Sequence, residues 1–242
     1  MTTSLRTNLL LSALPASALR KLLAGEDPVP LVLSDRLFER GQRARHVYFP
    51  IDAFVSLLTP GATQGSAALE VALVGNEGMV GSWLLLGVDA APLRALVQGG
   101  GFAWRVDAKT FGREVAANRI LREVFDHYLY VQLVQLAQTA WCTRFHVVES
   151  RLARWLLMTQ DRVRTDVLPL THDFLSQMLG VNRSTVTTCA GMLQEAGLIE
   201  YRRGKVYVLN RKRLEQASCE CYQIMKKQLE TWDGETFRKP RM

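Results

Sequence analysis

The sequence predicts an α+β protein with three successive parts: an N-terminal β-barrel of the double-stranded β-helix (jelly-roll) type, a long dimerisation helix, and a C-terminal winged helix-turn-helix. Short apolar runs separated by turn residues fill positions 29–106, which is typical of an all-β sandwich or barrel. Positions 118–144 contain neither proline nor glycine, and positions 171–196 follow a pattern of helix, glycine turn and helix. The predicted boundaries are 1–117, 118–145 and 146–242.

The composition is that of a globular protein with an anionic partner. The 242 residues are 48% hydrophobic and 22% charged, which argues against disorder, and the formal net charge is +7. A basic balance favours nucleic acid or a membrane surface as the partner. No apolar run is long enough to span a bilayer, and Pro15 interrupts the only stretch that resembles a secretion signal. We therefore expect a cytoplasmic protein that does not bind membranes.

The four cysteines predict neither a disulfide framework nor a metal site. Cys142, Cys189, Cys219 and Cys221 are too few and too late in the chain for a disulfide scaffold. Residues 211–232 look helical, and two side chains spaced two residues apart point to different faces of a helix. Cys219 and Cys221 are therefore expected to be reduced thiols that chelate poorly.

The N-terminal part begins with a helix over 5–24 that breaks near Pro15. Six strands are predicted to follow it: Val29–Leu33, Arg45–Phe49, Phe54–Leu58, Ala68–Val74, Leu93–Val97 and Phe102–Val106. Turn residues lie between the strands: Glu39–Gly41, Pro60-Gly61, Gln64-Gly65, Gly75–Gly78 and Gly99–Gly101. Asp107 or Thr110 begins the next helix.

The long helix carries two adjacent apolar stripes. One contains Leu121, Val124, Tyr128 and Val131, and the other contains Phe125, Leu129, Leu133, Leu136 and Ala140. So wide an apolar surface fits a helix that packs on its own barrel and on a partner helix, although a buried helix of a monomer would show the same spacing.

A further helix is predicted over Val147–Val163, after a break near Phe145-His146. Its leucines point inward, and Arg151, Arg154 and Arg162 are expected to face solvent. Residues 233–242 look like a frayed basic tail.

Residues 171–196 have the local signals of a helix-turn-helix. Thr171 is the N-cap candidate of a short amphipathic helix, and Gly180 follows this helix where a tight turn favours a residue that accepts positive φ. Asn182 or Arg183 begins the second helix, which runs to about Ala196.

One face of this second helix suits the major groove of DNA. Arg183, Ser184, Thr187 and Thr188 share the side opposite the apolar residues, with no acid among them. Small hydroxyl side chains let a helix enter deeply, and an arginine can make a bidentate contact with guanine. We call these four residues the recognition face.

Two short strands after this helix form a wing. Leu198–Tyr201 and Val206–Leu209 flank a basic glycine turn, in which Arg203 and Lys205 are placed to contact phosphate oxygens. The order of the parts predicts binding to double-stranded DNA. The predicted DNA-binding residues are Thr171, Asn182, Arg183, Ser184, Thr187, Thr188, Arg203 and Lys205.

Two other classes of function compete with DNA binding. In the first, the chain is a regulatory or scaffold subunit whose winged domain binds protein, because a fold does not fix a function. In the second, it is an enzyme, but the sequence contains no G-x-S-x-G, P-loop, H-E-x-x-H or C-x-x-C motif. We therefore predict no catalytic residues.

On these residues the chain resembles the Crp/Fnr family of bacterial transcription regulators over almost its whole length. The specific part is the stretch from Leu170 to Ile199, and the looser part is the barrel with its Gly75–Gly81 turn. The resemblance implies a cyclic-nucleotide-binding-like barrel, a homodimer joined through the long helix, DNA as ligand and contact with RNA polymerase. In cAMP-responsive members the recognition helix has the pattern Arg-Glu-x-x-x-Arg. Arg183 keeps the first arginine, but Ser184 and Thr188 replace the other two residues, which implies a different operator.

The effector site departs further from the family pattern. Cyclic-nucleotide binders have a Gly-Glu pair and then an Arg-Ser or Arg-Thr pair, whereas here Gly81-Ser82 and Arg94-Ala95 occupy those places. Gly81, Ser82 and Arg94 are the candidate effector-pocket residues, and ordinary cAMP is not the expected ligand.

No cofactor is predicted, and the small-molecule effector is unidentified. The N-terminal cysteine cluster of iron–sulfur members is absent from the sequence. Haem ligation through His46, His127 or His146 stays open, although a single histidine is more often a core or surface residue.

Overall fold

The computed structural model describes residues 8–59, 68–163 and 165–230. The predicted turns Pro60-Gly61 and Gln64-Gly65 and the predicted tail 233–242 lie outside these ranges. The chain divides into two compact units. The first unit comprises 1–57, 73–133 and 228–242, and the second comprises 58–72 and 134–227.

Helices and strands follow one another in the predicted order. The helices are α1 (Leu9–Ser12), α2 (Ala16–Leu22), α3 (Ala108–Ala117), α4 (Arg119–Phe145), α5 (Val148–Val163), α6 (His172–Leu179), α7 (Arg183–Glu195), α8 (Arg211–Ala217) and α9 (Cys221–Glu230). The strands are β1 (Pro28–Leu31), β2 (Arg36–Phe38), β3 (His46–Pro50), β4 (Phe54–Thr59), β5 (Leu69–Val74), β6 (Arg94–Gly99), β7 (Gly101–Asp107), β8 (Val167–Leu168), β9 (Ile199–Arg202) and β10 (Lys205–Val208). A 3₁₀ helix spans Ser82–Leu86.

The N-terminal strands form two sheets, in the orders β1-β7-β3 and β2-β6-β4-β5. All six predicted strands are confirmed within a few residues. β2 and the 3₁₀ helix were not predicted, because three-residue strands and single turns are too short to show a hydrophobic period. The Asp107 side chain caps α3 by accepting from the backbone N–H groups of Lys109 and Thr110, so the helix begins at the earlier of its two predicted positions.

The turn before the 3₁₀ helix is fixed by a close approach to α4. The backbone N–H of Gly78 donates to the carbonyl of Gly75, and the Tyr128 hydroxyl donates to the carbonyl of Met79 at 3.1 Å. A Cβ atom at Gly78 would lie 2.6 Å from Cζ of Tyr128, which is too close for any side chain. Gly78 is therefore required by packing against the buried Tyr128 ring.

α4 has the predicted apolar stripes, but they differ in burial. The first stripe, Leu121, Val124, Tyr128 and Val131, is buried in the core of the first unit. In the second stripe, Phe125 is buried and Leu129 is half-buried, whereas Leu133 is 62% exposed. The apolar surface that the first unit leaves uncovered thus begins near Leu133.

α5 is the central helix of the second unit, and ten consecutive residues, Arg151–Gln160, are buried. The prediction that Arg151 and Arg154 face solvent is wrong, because each is only 6% exposed. An amphipathic interpretation assumed neighbours on one side of the helix, but α5 packs against α6, α7 and α8. Arg162, near the end of α5, is partly exposed and donates to the carbonyl of Met158.

The C-terminal region corrects a second prediction. Residues 211–232 were expected to be helical, and the described part of this range is helical in two pieces: α8 ends at Ala217 and α9 begins at Cys221. Ser218 has an extended backbone, with φ −75° and ψ 159°, so the helix is interrupted there. Cys219 consequently lies outside a helix. Its side chain and that of Cys221 are therefore not forced onto different faces, as they would be within one helix.

The predicted fold class is confirmed: a sheet-rich N-terminal region, a long helix and a C-terminal winged helix-turn-helix. None of the described helices is both long enough and apolar enough to cross a membrane.

We expect Gly78→Ala to destabilise the protein by about 1–3 kcal/mol, because the new methyl group collides with the buried Tyr128 ring. Gly112→Ala is the matched control. A Cβ atom added at Gly112, in α3, would meet no atom of a neighbouring element within 4 Å in the described part of the chain. Alanine there should stabilise the helix by about 0.5–1 kcal/mol. Thermal unfolding followed by circular dichroism measures both changes, and equal melting temperatures for the two variants would contradict the prediction.

Candidate nucleic-acid interface

The helix-turn-helix forms from the local signals that the sequence contains. The Thr171 side chain accepts from the backbone N–H of Phe174 at 3.2 Å and so caps α6. Gly180 has φ 65° and ends α6 in the left-handed region, where a side chain would be strained. Asn182 is the N-cap of α7, but its side chain makes no capping hydrogen bond and is exposed.

α7 buries one face and exposes the other, as predicted. Val186, Cys189, Ala190 and Leu193 are buried within the second unit. The recognition face, Arg183, Ser184, Thr187 and Thr188, is exposed along its whole length.

Two hydroxyl groups of the recognition face are already committed to the helix backbone. Thr187 Oγ1 donates to the carbonyl of Arg183 at 3.0 Å, and Thr188 Oγ1 donates to the carbonyl of Ser184 at 3.1 Å. Both side chains therefore present methyl groups and oxygen lone pairs outward, which suits contact with thymine methyl groups and base amino groups.

Arg183 has an ionic partner on the first helix of the motif. Its Nε lies 3.4 Å from Oδ1 of Asp173, and the two side chains are 66% and 64% exposed. An ion pair this exposed contributes little free energy, so Arg183 can exchange Asp173 for a stronger partner.

His172 joins α6, α7 and the wing. Its Nδ1 lies 2.9 Å from Thr187 Oγ1, and because that hydroxyl donates to the carbonyl of Arg183, the ring nitrogen is the donor. Its ring stacks on Tyr201 of β9 with centroids 4.0 Å apart. Its Nε2 is buried and has no hydrogen-bond partner in the described part of the chain. Burial lowers the pKa of His172 below 6.5, and the nearby charge of Arg183 lowers it further. The imidazole is therefore neutral at pH 7.

The wing is the hairpin of β9 and β10, in register from Lys205 opposite Arg202 to Val208 opposite Ile199. Its tip turns at Arg203 and Gly204, with φ 51° and 73°. Arg203 and Lys205 are exposed at this tip, so the structure leaves both cations accessible to phosphate oxygens.

Asp173, His172 and Tyr201 were not predicted to belong to this surface. Asp173 lies in the first turn of α6, where an acidic side chain is common because it interacts favourably with the helix dipole. Its position in the sequence therefore gave no indication of a role at this surface. His172 and Tyr201 are far apart in the sequence, so only the fold brings their rings together.

The candidate effector residues are each engaged with other parts of the chain. Gly81 has φ 102° and begins the 3₁₀ helix. Ser82 is buried, and its hydroxyl donates to Gln132 Oε1 on α4. Arg94 Nε lies 2.9 Å from Glu39 Oε2. The Arg94 guanidinium, which would otherwise be available to bind a phosphate group, therefore already has a carboxylate partner.

A second group of polar side chains lies in the second unit. Cys142, His146, Cys219 and Cys221 place their ligand atoms within 4.8 Å of one another. Cys142 Sγ is 3.5 Å from Cys219 Sγ, and Cys221 Sγ is 3.4 Å from His146 Nδ1. Hydrogen bonding from Cys219 and the charge of Arg154 lower the pKa of Cys142 to about 5. These residues could hold a metal ion, whereas the sequence predicted no such site.

The spacing of Cys142 and His146 was the available signal for this group, since residues four apart lie on one face of a helix. Of the histidines considered for haem, His46 lies in β3 beside Tyr48 and His127 lies in α4 beside Tyr130. His146 belongs to the cysteine group.

The comparisons with known proteins agree with this geometry. Residues 150–217 match the family model of the Crp-like helix-turn-helix domain. No curated protein sequence matches the chain. A transcriptional regulator of the Crp/Fnr family from Eubacterium rectale is similar in structure, with a TM-score of 0.68 and 14% identity, over 86% of this chain and 96% of its own.

Two further solved structures share the fold. FixK2 from Bradyrhizobium japonicum has a TM-score of 0.67 and 14% identity, over 80% of this chain and 98% of its own. The c-di-GMP responsive global regulator CLP from Xanthomonas campestris has a TM-score of 0.66 and 18% identity, over 80% of this chain and 99% of its own.

The matched domain belongs to the class of DNA-binding helix-turn-helix domains. The chain thus contains a Crp-like helix-turn-helix domain and shares its fold with solved regulators of the Crp/Fnr family, which the sequence was found to resemble.

We expect the His172 imidazole to titrate below pH 6.5, with the proton of the neutral ring on Nδ1. Because folding favours the neutral ring, this contribution to stability is present above the pKa of the unfolded chain. It is lost as the pH falls through that value toward the lower pKa of the folded state.

NMR titration of the histidine rings measures this pKa. Arg183→Ala should move the pKa of His172 back toward 6.5, because the charge of Arg183 contributes to the lowering. Arg183→Lys, which keeps the charge, is the control. A midpoint of 6.5 or higher in the unmodified protein would show that the ring is not buried as described.

Proposed function

We propose that the protein is a homodimeric transcription regulator that binds a two-fold-related sequence in double-stranded DNA. The exposed recognition face of α7 beside the basic wing tip is the observation that carries this proposal. In a dimer the two recognition helices meet half-sites about 10 base pairs apart, centre to centre.

Each residue type on this surface has a physical role in the proposal. Arg183 leaves Asp173 and makes a bidentate contact with guanine, and Ser184, Thr187 and Thr188 contact neighbouring base edges. Thr171, Asn182, Arg203 and Lys205 contact phosphates: Thr171 and Asn182 stand at helix N-termini, and the other two carry positive charge.

A second copy of the chain is the proposed partner of α4. The helix exposes large apolar side chains at Tyr130, Leu133 and Trp141, which are 55%, 62% and 53% exposed. These three residues and Ala137 have spacings of three and four, which places them on one face of the helix. Tyr130, Leu133 and Ala137 have the spacing of successive a and d positions in a two-stranded coiled coil, and Trp141 extends the same face by one turn.

We place control of DNA binding in the N-terminal sheet-rich region. A signal there would shift the population of α4 arrangements and so reset the DNA-binding domains across the junction Phe145–Val148. Ordinary cAMP is not the proposed signal, because Glu39 neutralises Arg94 and Ser82 stands where the ribose-binding carboxylate would be. We also propose that the protein acts in the cytoplasm and that it contacts RNA polymerase.

We expect Arg183→Ala to weaken specific DNA binding about tenfold to a hundredfold, which corresponds to about 1–3 kcal/mol for a lost base contact. The operator is first selected from random duplexes, and affinity is then measured by gel shift. Arg119→Ala is the matched control, because it removes the same charge from a residue whose side chain is 90% exposed in the first unit. Unchanged affinity and sequence preference in Arg183→Ala would rule out α7 as the base-contacting helix.

Salt dependence distinguishes DNA binding from a winged domain that binds protein. Each phosphate contact releases counterions, so the logarithm of affinity should fall linearly with the logarithm of salt concentration, with a slope of about −0.9 per contact. Failure to select any duplex would favour the protein-binding alternative.

We expect Leu133→Glu to convert the dimer to a monomer, because it places two carboxylates in the apolar seam. Sedimentation equilibrium of the full-length protein measures the mass. Leu86→Glu is the control, since Leu86 is an equally exposed leucine, at 65%, that belongs to the 3₁₀ helix and not to the proposed α4 seam. If both variants keep the mass of the unmodified protein, α4 is not the dimer interface.

A further inference from the structure

Three cysteines and one histidine converge in the second unit from two distant stretches of the chain. Cys142 lies in the last turns of α4, and His146 follows the end of that helix. Cys219 and Cys221 lie at the break between α8 and α9. The three thiols are buried, with exposures of 0%, 7% and 0% for Cys142, Cys219 and Cys221. This convergence is independent of the recognition face.

The separations of the ligand atoms fit a single ion. In a tetrahedral site with zinc–sulfur bonds of about 2.3 Å, neighbouring sulfur atoms lie about 3.8 Å apart. Here the sulfur atoms of Cys142 and Cys219 are 3.5 Å apart, Cys221 Sγ is 3.4 Å from His146 Nδ1, and all four ligand atoms lie within 4.8 Å of one another, so one ion can contact them all. An iron–sulfur cluster places several iron and sulfide atoms between its cysteines, so it needs a wider arrangement.

The surroundings of the four side chains are those of a metal site. His146 turns Nδ1 toward Cys221, and its Nε2 lies 3.1 Å from Oε1 of Glu220. A carboxylate on the other ring nitrogen fixes the orientation of a metal-bound histidine and raises its basicity. The Gln138 amide donates to Cys221 Sγ at 3.0 Å and so orients this side chain.

Two buried cations require a negative charge nearby. Arg151 and Arg154 are each 6% exposed, and neither has a carboxylate partner among the described residues. The described partners of Arg151 and Arg154 are the carbonyl of Leu179 and the sulfur atoms of Met158 and Met225, and the Nε atoms of both arginines are unbonded. A buried charge without a counter-charge is costly. Cys142 interacts electrostatically with both arginines, so a metal–thiolate group of net negative charge at this place would supply a counter-charge.

We propose that Cys142, His146, Cys219 and Cys221 bind one thiophilic divalent cation of the Zn²⁺ type. Three thiolates, a neutral imidazole and one divalent ion carry a net charge of −1, opposite in sign to the adjacent guanidinium groups. Binding releases the thiol protons to solvent and involves no redox step. All four positions of a tetrahedral ion are filled by protein, which is the arrangement of a structural or sensing site and not of a catalytic one.

Metal binding ties three segments together. The ion would link the end of α4, the α4–α5 junction at His146, and the α8–α9 break. Because His146 lies within the junction, occupancy of the site restrains the backbone there. This proposal does not depend on DNA binding and holds even if the winged domain binds protein.

The test begins with the reduced full-length protein, freed of metal by a chelator. Titration with Co²⁺ alone should produce an intense thiolate-to-cobalt absorption band and the visible bands of a tetrahedral ion, saturating at one equivalent. Zn²⁺ alone should then displace Co²⁺ at one equivalent. Hydrogen exchange of amides near residues 143–150 and 217–223 should slow when Zn²⁺ binds.

Variants locate the site. Cys142→Ser and Cys221→Ser should each weaken Co²⁺ binding at least a hundredfold, and His146→Gln should shift the visible bands while it keeps the thiolate band. Cys189→Ser is the matched control, because Cys189 is a buried cysteine of α7 outside the cluster, and it should bind Co²⁺ normally. Circular dichroism verifies that each variant is folded.

Several results would overturn the proposal. They are the absence of a saturable Co²⁺ spectrum in the reduced protein, equal metal binding in all cysteine variants, and recovery of an iron–sulfur cluster bound to these cysteines. Because the first result concerns the unmodified protein, a variant that fails to fold does not rescue the proposal.

Discussion

α5 is buried along ten consecutive residues, and this burial determines how the rest of the second unit is arranged. A helix without a solvent face needs neighbours all around it, and α6, α7 and α8 supply them. Trp155 Nε1 donates to Glu70 Oε1 at 2.7 Å, which ties the helix to the start of β5 as well. The exposed face of α7 is therefore fixed from behind: Val186 and Leu193 are fully buried, and the polar row has one orientation only.

Burial of α5 also brings the guanidinium groups of Arg151 and Arg154 into the interior, where they need hydrogen-bond acceptors and a counter-charge. Arg151 Nη2 donates to the carbonyl of Leu179 at 2.6 Å, which satisfies a group at the end of α6 that the helix itself leaves unpaired. Arg154 is held by thioether sulfur atoms, which are weak acceptors. Cys142 interacts electrostatically with both cations, so the proposed metal site and the packing of α5 involve the same buried charges.

At the surface that we propose to face DNA, the charged group of the recognition face lies in a weak ion pair. Arg183 is held by Asp173 in an exposed contact, and Thr187 is oriented by its own backbone and by a neutral His172. This arrangement reduces the freedom that the side chains lose on binding, at little cost in broken interactions. Arg94 shows the opposite case. Its ion pair with Glu39 is less exposed than that of Arg183 with Asp173, so Glu39 would oppose the binding of an anionic ligand to Arg94.

Local signals in the sequence were sufficient for the order of elements, the Thr171 cap, the Gly180 turn and the polar face of α7, because each depends on residues a few positions apart. They failed where distant segments meet. The burial of Arg151 and Arg154, the stacking of His172 on Tyr201, and the convergence of Cys142 with Cys219 over 77 positions depend on which elements pack together. The sequence by itself thus determined the DNA-binding motif, since periodicity and caps are local. Only the tertiary structure decided the cysteine–histidine cluster, because a ligand set is defined by distances in space.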